Sequence, residues 1–208
     1  MHILIMRYLL FLPLMMGTLH QPSGKLKAAT ANNGTLNHRS DLNKTKTNKF
    51  GISIILYRLP KAEKLEDIKD LEIQIAKTAD TRVNLYKITG DLATIFLNTT
   101  DPFTNSKTIA YRMLYGNRAG KSVSVGDVGG FLATSEIKEI TQWIKKNKIE
   151  TFEGFSKVYD NLSNEVKKEL EEMGTEDKAG LFDGYVRPLV VLYFTALEND
   201  NSVVFIGR

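Results

Sequence analysis

The residues best equipped for chemistry in this 208-residue chain are Asp183, Tyr185 and Arg187, an acid, a phenol and a guanidinium close together in sequence. An arginine beside an acid can hold an anionic group or lower the pKa of the acid, and a carboxylate facing a second one could hydrolyse a glycoside. The same spacing has a plainer use, with Asp183 capping the last helix and Arg187 paired to it one turn on. Other chemistries are scarce. There is no cysteine, which excludes disulfides, a thiol nucleophile and thiolate metal sites. The three histidines, His2, His20 and His38, all precede residue 50. The remainder therefore has no imidazole for Ser-His-Asp catalysis, for general acid–base work or for the usual zinc site. Neither a metal nor a cofactor is expected.

One stretch imitates a nucleotide site. Tyr115 to Ser122 (YGNRAGKS) resembles the phosphate-binding pattern GxxxxGK[ST], but only three residues separate Gly116 from Gly120, and Tyr115 stands where the first glycine belongs. The surroundings are also reversed: a helical pattern precedes the stretch, and Ser122 to Val125 (SVSV) reads as a strand after it. Gly126, Gly129 and Gly130 read as turns around that strand.

The charge divides along the chain. The net charge is +4, yet residues 1–49 hold seven basic side chains (Arg7, Lys25, Lys27, Arg39, Lys44, Lys46 and Lys49) against Asp41 alone. Residues 50–208 are left with 21 basic and 23 acidic side chains, a net of −2. A nucleic-acid binder carries its positive footprint on the folded part, so no nucleic-acid partner is expected. Arg7 followed by the apolar run Tyr8 to Leu19 (YLLFLPLMMGTL) has the layout of a secretory signal and is short for a membrane span. Residues 1–19 are read as a signal peptide or N-terminal anchor. Residues 20–49, rich in Asn, Thr and Lys without apolar period, are read as a disordered tether.

The elements that must position any site follow from periodicity. Leu189 to Leu197 is apolar nearly all round, as a buried helix must be, and Glu198 to Asn201 turn it into a strand over Ser202 to Ile206. Pro188, lacking an N–H, belongs in the first turn of that helix or at a kink. Phe50 to Leu59 reads as a strand stopped by Pro60. Lys61 to Thr78 (Leu65, Ile68, Leu71, Ile75) and Val83 to Phe96 (Leu85, Ile88, Leu92, Ile95) read as amphipathic helices, and Pro102 opens a short third one with Ile109, Met113 and Leu114. Thr134 or Ser135 caps a helix carrying Ile137, Ile140 and Ile144, with Trp143 beside that face. Phe152 to Tyr159 gives another, and Leu162 to Met173 a charged, exposed one ended by Gly174. The expectation is one α+β domain over 50–208, its helices packed on a small sheet that includes strands 50–59 and 202–206.

Four stretches carry a family resemblance: Gly51-Ile52-Ser53 with Tyr57-Arg58-Leu59; Leu85-Tyr86-Lys87 leading to Leu92; Gly130-Phe131-Leu132 before Glu136; and Leu189, Tyr193 and Asn201 with the strand that follows. In order and spacing, the chain from Phe50 onward resembles the YfbM-like family, small bacterial proteins classed as a domain of unknown function. The chain departs from that pattern at Tyr86, Thr89, Ala93 and Thr94, where the family tends to carry Asp, Trp, His and Phe. The resemblance therefore implies an α+β fold and little about activity. Tyr57, Lys87 and Tyr193 from these stretches join Asp183, Tyr185 and Arg187 as candidate binding residues.

Two functions are weighed. The first is a non-enzymatic, exported binding protein of immunity type with a protein partner, in the bacterial periplasm or tethered to the membrane by an uncleaved N-terminal segment. The second is a carboxylate-dependent hydrolase acting on a carbohydrate or cell-wall substrate, with Asp183 as its acid.

Overall fold

The run Ser202 to Gly207 forms β5, the middle strand of a five-stranded sheet in the order β2-β1-β5-β4-β3, in the computed structural model that describes residues 53–124, 126–175 and 177–207. The other strands are β1 (Ile54–Leu59), β2 (Val83–Asn84), β3 (Asn117–Val123) and β4 (Gly126–Leu132), and every pairing is antiparallel. Leu56 faces Phe205 and Tyr57 faces Val204 across β1–β5, while Phe131 faces Val204 on the other side. The expected signal or anchor (1–19) and tether (20–49) lie outside the described residues.

Side chains alternate between the two faces of a strand, and here both faces are covered, which is why β1 and β5 read as unbroken apolar runs. Ile54, Leu56, Leu132, Val203 and Phe205 enter the larger core. Ile55, Tyr57, Leu59, Val128, Val204 and Ile206 enter the smaller one, closed by α1 (Leu71–Lys77) and the segment before it. The larger core is filled by α2 (Thr89–Leu97), α3 (Ile109–Tyr115), α4 (Thr134–Asn147), α5 (Phe152–Asp160), α6 (Asn164–Met173), α7 (Lys178–Leu181) and α8 (Arg187–Glu198). The architecture is α+β. Among the described residues no helix is long and apolar enough to cross a membrane.

Several local expectations are corrected. The helix expected over 61–78 is a 3-10 turn (Leu65–Asp67) followed by α1, because Ile68 is extended and Asp70 takes a left-handed conformation (φ 50°). The helix expected from Val83 begins instead at Thr89: Val83 pairs with Leu56 in β2, and the amide of Leu85 donates to the Ile54 carbonyl at 2.9 Å. Gly129 and Gly130 lie inside β4 rather than in turns, and β3 starts at Asn117 rather than Ser122. Neither Thr134 nor Ser135 caps α4. Ala133 is the N-cap, Glu136 Oε2 accepts from its amide at 3.0 Å, and the Thr134 hydroxyl accepts from the amide of Ala62.

α7 and α8 are joined by a π-turn, Phe182–Val186, in which the Arg187 amide reaches back to the Phe182 carbonyl. Pro188 follows at once, in the first turn of α8. The widened turn accommodates a residue that has no N–H to offer the helix.

Candidate functional site

The six residues singled out by sequence do not form one site. Tyr57 is 2% exposed, in the smaller core, and Tyr193 is fully buried in the larger one. The Tyr193 hydroxyl donates to the carbonyl of Met113 at 2.6 Å, and burial pushes its phenol well above the usual tyrosine range. That carbonyl is in the last turn of α3, where the helix has no following amide to satisfy it. Tyr193 is thus a fastener for α3, inaccessible to any partner. Lys87 is exposed on the 3-10 turn Tyr86–Ile88.

Asp183, Tyr185 and Arg187 do share the turn before α8. Asp183 and Arg187 pair at 2.8 Å, with side chains 62% and 59% exposed, and the guanidinium lies 5.1 Å from the Phe182 ring. Asp183 does not cap α8, whose N-cap is Val186 with no side-chain cap; the capping acid nearby is Asp177, which opens α7 by accepting from the amides of Ala179 and Gly180. Tyr185 is half-buried against the larger core. An open ion pair one helical turn apart is a surface feature worth a few tenths of a kcal/mol (~0.3–0.5). It supplies no second carboxylate for hydrolysis.

The most developed surface feature is one that sequence reasoning passed over: an aromatic platform on α3. Asp101 opens the 3-10 turn Pro102–Asn105 by accepting from the amide of Phe103, and Thr108 caps α3 by accepting from the amide of Tyr111, both at 3.2 Å. Tyr111 and Tyr115, one turn apart, stack with ring centroids 4.6 Å apart, and Phe103 meets them at 6.4 and 6.0 Å. Phe103 is 65% exposed. Burial raises the Tyr111 phenol, and it pushes Tyr115 up to about 12, with Tyr111 and Asp91 adding to the effect. A cleft of about 290 Å³ opens along the same segment, lined by Phe96, Asn105, Thr108, Ile109 and Trp143 among others.

The platform is held from beneath. Arg112 reaches Glu136 at 2.7 Å and Glu139 at 2.9 Å on α4, and the same Glu136 oxygen accepts from Asn117 at 2.7 Å. Those partners hold the guanidinium pKa above its ordinary value. The corner from α3 into β3 is made by Gly116 (φ 66°), where a Cβ would meet the Phe205 ring and the Phe131 amide at 2.7 and 2.8 Å. Only glycine fits a left-handed corner packed that closely. In sequence, Tyr111 and Tyr115 look like any core-facing pair at helical spacing; the signal that could have found them is Phe103, an apolar residue placed in a polar turn.

Two further arrangements have chemical potential on paper. Ser156 Oγ lies 3.3 Å from Lys178 Nζ, the parts of a serine–lysine dyad, but Lys178 also donates to Asp160 at 2.8 Å. That hydrogen bond holds the Asp160 carboxyl below its usual range, and a lysine spent as a donor to a carboxylate is no base for a serine. A second cleft, about 230 Å³, is bordered by Lys148, Thr151, Glu153, Lys157 and Asn161, and Lys157 there is paired with Glu153. Among the described residues no three His, Cys, Asp or Glu side chains converge on a point that could hold a metal.

Comparison with known proteins adds little. No family model matches the chain, and no curated protein matches it. Among solved structures it is similar to YfbM from Escherichia coli, a protein of unknown function, with 16% identity and a TM-score of 0.44 over 74% of this chain and 99% of that one. A likeness at that level assigns neither family nor activity.

Proposed function

We propose that the chain is a non-enzymatic binding protein that engages a protein partner through the Phe103–Tyr111–Tyr115 platform, its YfbM-like domain carried outside the cytoplasm by the N-terminal segment. The observation that carries this reading is the platform itself. Three aromatic rings meet at one surface: the half-buried Tyr111 and Tyr115 on α3, a helix anchored by Arg112 and Tyr193, and the largely exposed Phe103 on the turn before it. Rigid tyrosines and neighbouring arginines dominate the energetics of protein interfaces, because they bury large area at small entropic cost. An aromatic patch left open has to be covered by something or it invites association. The YfbM-like relationship rests on the four sequence stretches, and the residues they share, such as Tyr57, Gly130, Leu132, Leu189 and Tyr193, are buried scaffold. That relationship therefore bears on the fold and leaves the surface to this chain.

The test is co-purification from the envelope fraction of the native host, comparing the full chain with its Phe103→Ala/Tyr111→Ala variant at equal folded concentration. The reading expects a protein enriched by the former and lost with the latter. Equal enrichment by both would remove the platform from the binding reaction.

A further inference from the structure

β3 ends the sheet, and it begins two residues after Tyr115. A terminal strand presents half of its backbone donors and acceptors to nothing in its own sheet. Among the described residues no backbone hydrogen bond reaches the outer side of Asn117–Val123, and the opening stops at Ser124, whose amide donates to Glu72 at 2.8 Å. The opposite edge, β2, is only two residues long.

The charge on β3 is one-sided. Arg118 and Lys121 are exposed and have no ion-pair partner among the described residues, and the strand (NRAGKSV) contains no acid. Asp127, opposite Ser122 across the hairpin, accepts from the Ser122 hydroxyl at 2.7 Å and forms no ion pair with Arg118 or Lys121 among the described residues. The pairing with β4 slips between Arg118 and Lys121, where Gly120 takes φ 68°. Edge cations and a bulge are the devices by which a strand avoids pairing with copies of itself, since a second copy would bring like charges and mismatched kinks together. The cations do not oppose a segment of opposite charge, and such a segment has to follow the kink between Arg118 and Lys121 to pair along the strand.

We propose that β3 accepts an extended acidic segment of the partner as an added strand, with carboxylates placed against Arg118 and Lys121 and the end of the segment lying over the aromatic platform. This rests on the binding reading above and adds the chemistry of the partner. Main-chain hydrogen bonds to β3 supply the affinity, while the two cations and the platform select what is bound.

The probe is a seven-residue peptide alternating Glu with Thr and Val, matched in length to β3, together with its Lys-for-Glu counterpart. Each is titrated into the full chain, with amide exchange followed across 117–123. The expected result is slowed exchange on β3 with the acidic peptide only, weakened about tenfold in Arg118→Glu/Lys121→Glu and partly kept in Arg118→Gln/Lys121→Gln, both checked for an unchanged melting temperature. Unprotected β3 amides, or equal binding of the basic peptide, would overturn the proposal. Protection of β3 in the protein alone, with a dimer in sedimentation, would overturn it in favour of self-pairing. If co-purification depends on Phe103 and Tyr111 while the acidic peptide leaves β3 unprotected, this inference fails and the binding reading stands. Protection of β3 by the acidic peptide, together with capture indifferent to Phe103 and Tyr111, supports the added strand against Arg118 and Lys121 but overturns the placement of its end over the platform, and with it the binding reading.

Discussion

Tyr193, in the middle of α8, donates its hydroxyl to the carbonyl of Met113 in the last turn of α3, 2.6 Å away and sealed from solvent. This one hydrogen bond links α8 to the helix that carries the half-buried rings of Tyr111 and Tyr115. Tyr193→Phe keeps the ring and leaves the Met113 carbonyl buried without this donor. The expected cost is about 1–2 kcal/mol, read from the urea midpoint, with faster amide exchange across 109–115 as the local sign.

Gly130 carries a sharper constraint. The Tyr115 carbonyl stands where a Cβ on residue 130 would be, so Gly130→Ala must push the end of α3 off the sheet. A loss of about 3 kcal/mol or more is expected in thermal or urea unfolding. At Gly129, where a Cβ meets open space, alanine should be tolerated within about 1 kcal/mol.

Glu136 is shared by three donors: Arg112, Asn117 and the Ala133 amide. Glu136→Ala removes the start of α4 and the anchor of α3 together, and should cost about 2–3 kcal/mol. Equilibrium unfolding with the Arg112→Ala single and double mutants checks it. The two losses should fall short of additive, because each single change already breaks the shared contact.

Alkaline pH should loosen the same region. Burial holds the Tyr115 phenol up near 12, against about 10 when unfolded, so the folded chain favours the neutral form. That contribution is complete below pH 10 and is lost as pH rises from 10 through about 12. The melting temperature should fall across that window, and less steeply in Tyr115→Phe. Tyrosinate absorbance should show phenols titrating above the free-tyrosine midpoint.

Much of the scaffold was legible and the candidate site was not, for physical reasons that differ by residue. β5 announces itself because it is buried on both faces and so reads as an unbroken apolar run, whereas α8, equally apolar in sequence, buries Leu189, Val190, Leu192, Tyr193 and Ala196 but leaves Val191 and Leu197 exposed. β2 was hidden because Val83 owes its conformation to Leu56, a distant pairing that local spacing does not encode. Gly130 looked like a turn residue, since sequence shows the missing Cβ but not the Tyr115 carbonyl that requires its absence. Tyr193 had the polar handle of a binding residue, and only the fold shows that its hydroxyl is occupied by Met113. Asp183 and Arg187 do pair as their spacing allowed, yet in the open and without a second acid in the pair. Tyr111 and Tyr115 have the spacing of a core face and are half-buried, and only the fold shows the exposed Phe103 ring meeting them from outside.

The most direct measurement is photo-crosslinking in the native host, with a photoreactive phenylalanine analogue placed singly at Phe103, Ile73, Phe152 or Val191. All four are exposed apolar positions, and Phe103 alone belongs to the platform. The expected result is a light-dependent adduct of one defined mass from position 103 and none from the other three. An adduct from Ile73, Phe152 or Val191 with position 103 silent would contradict the claim that this protein meets its partner through α3.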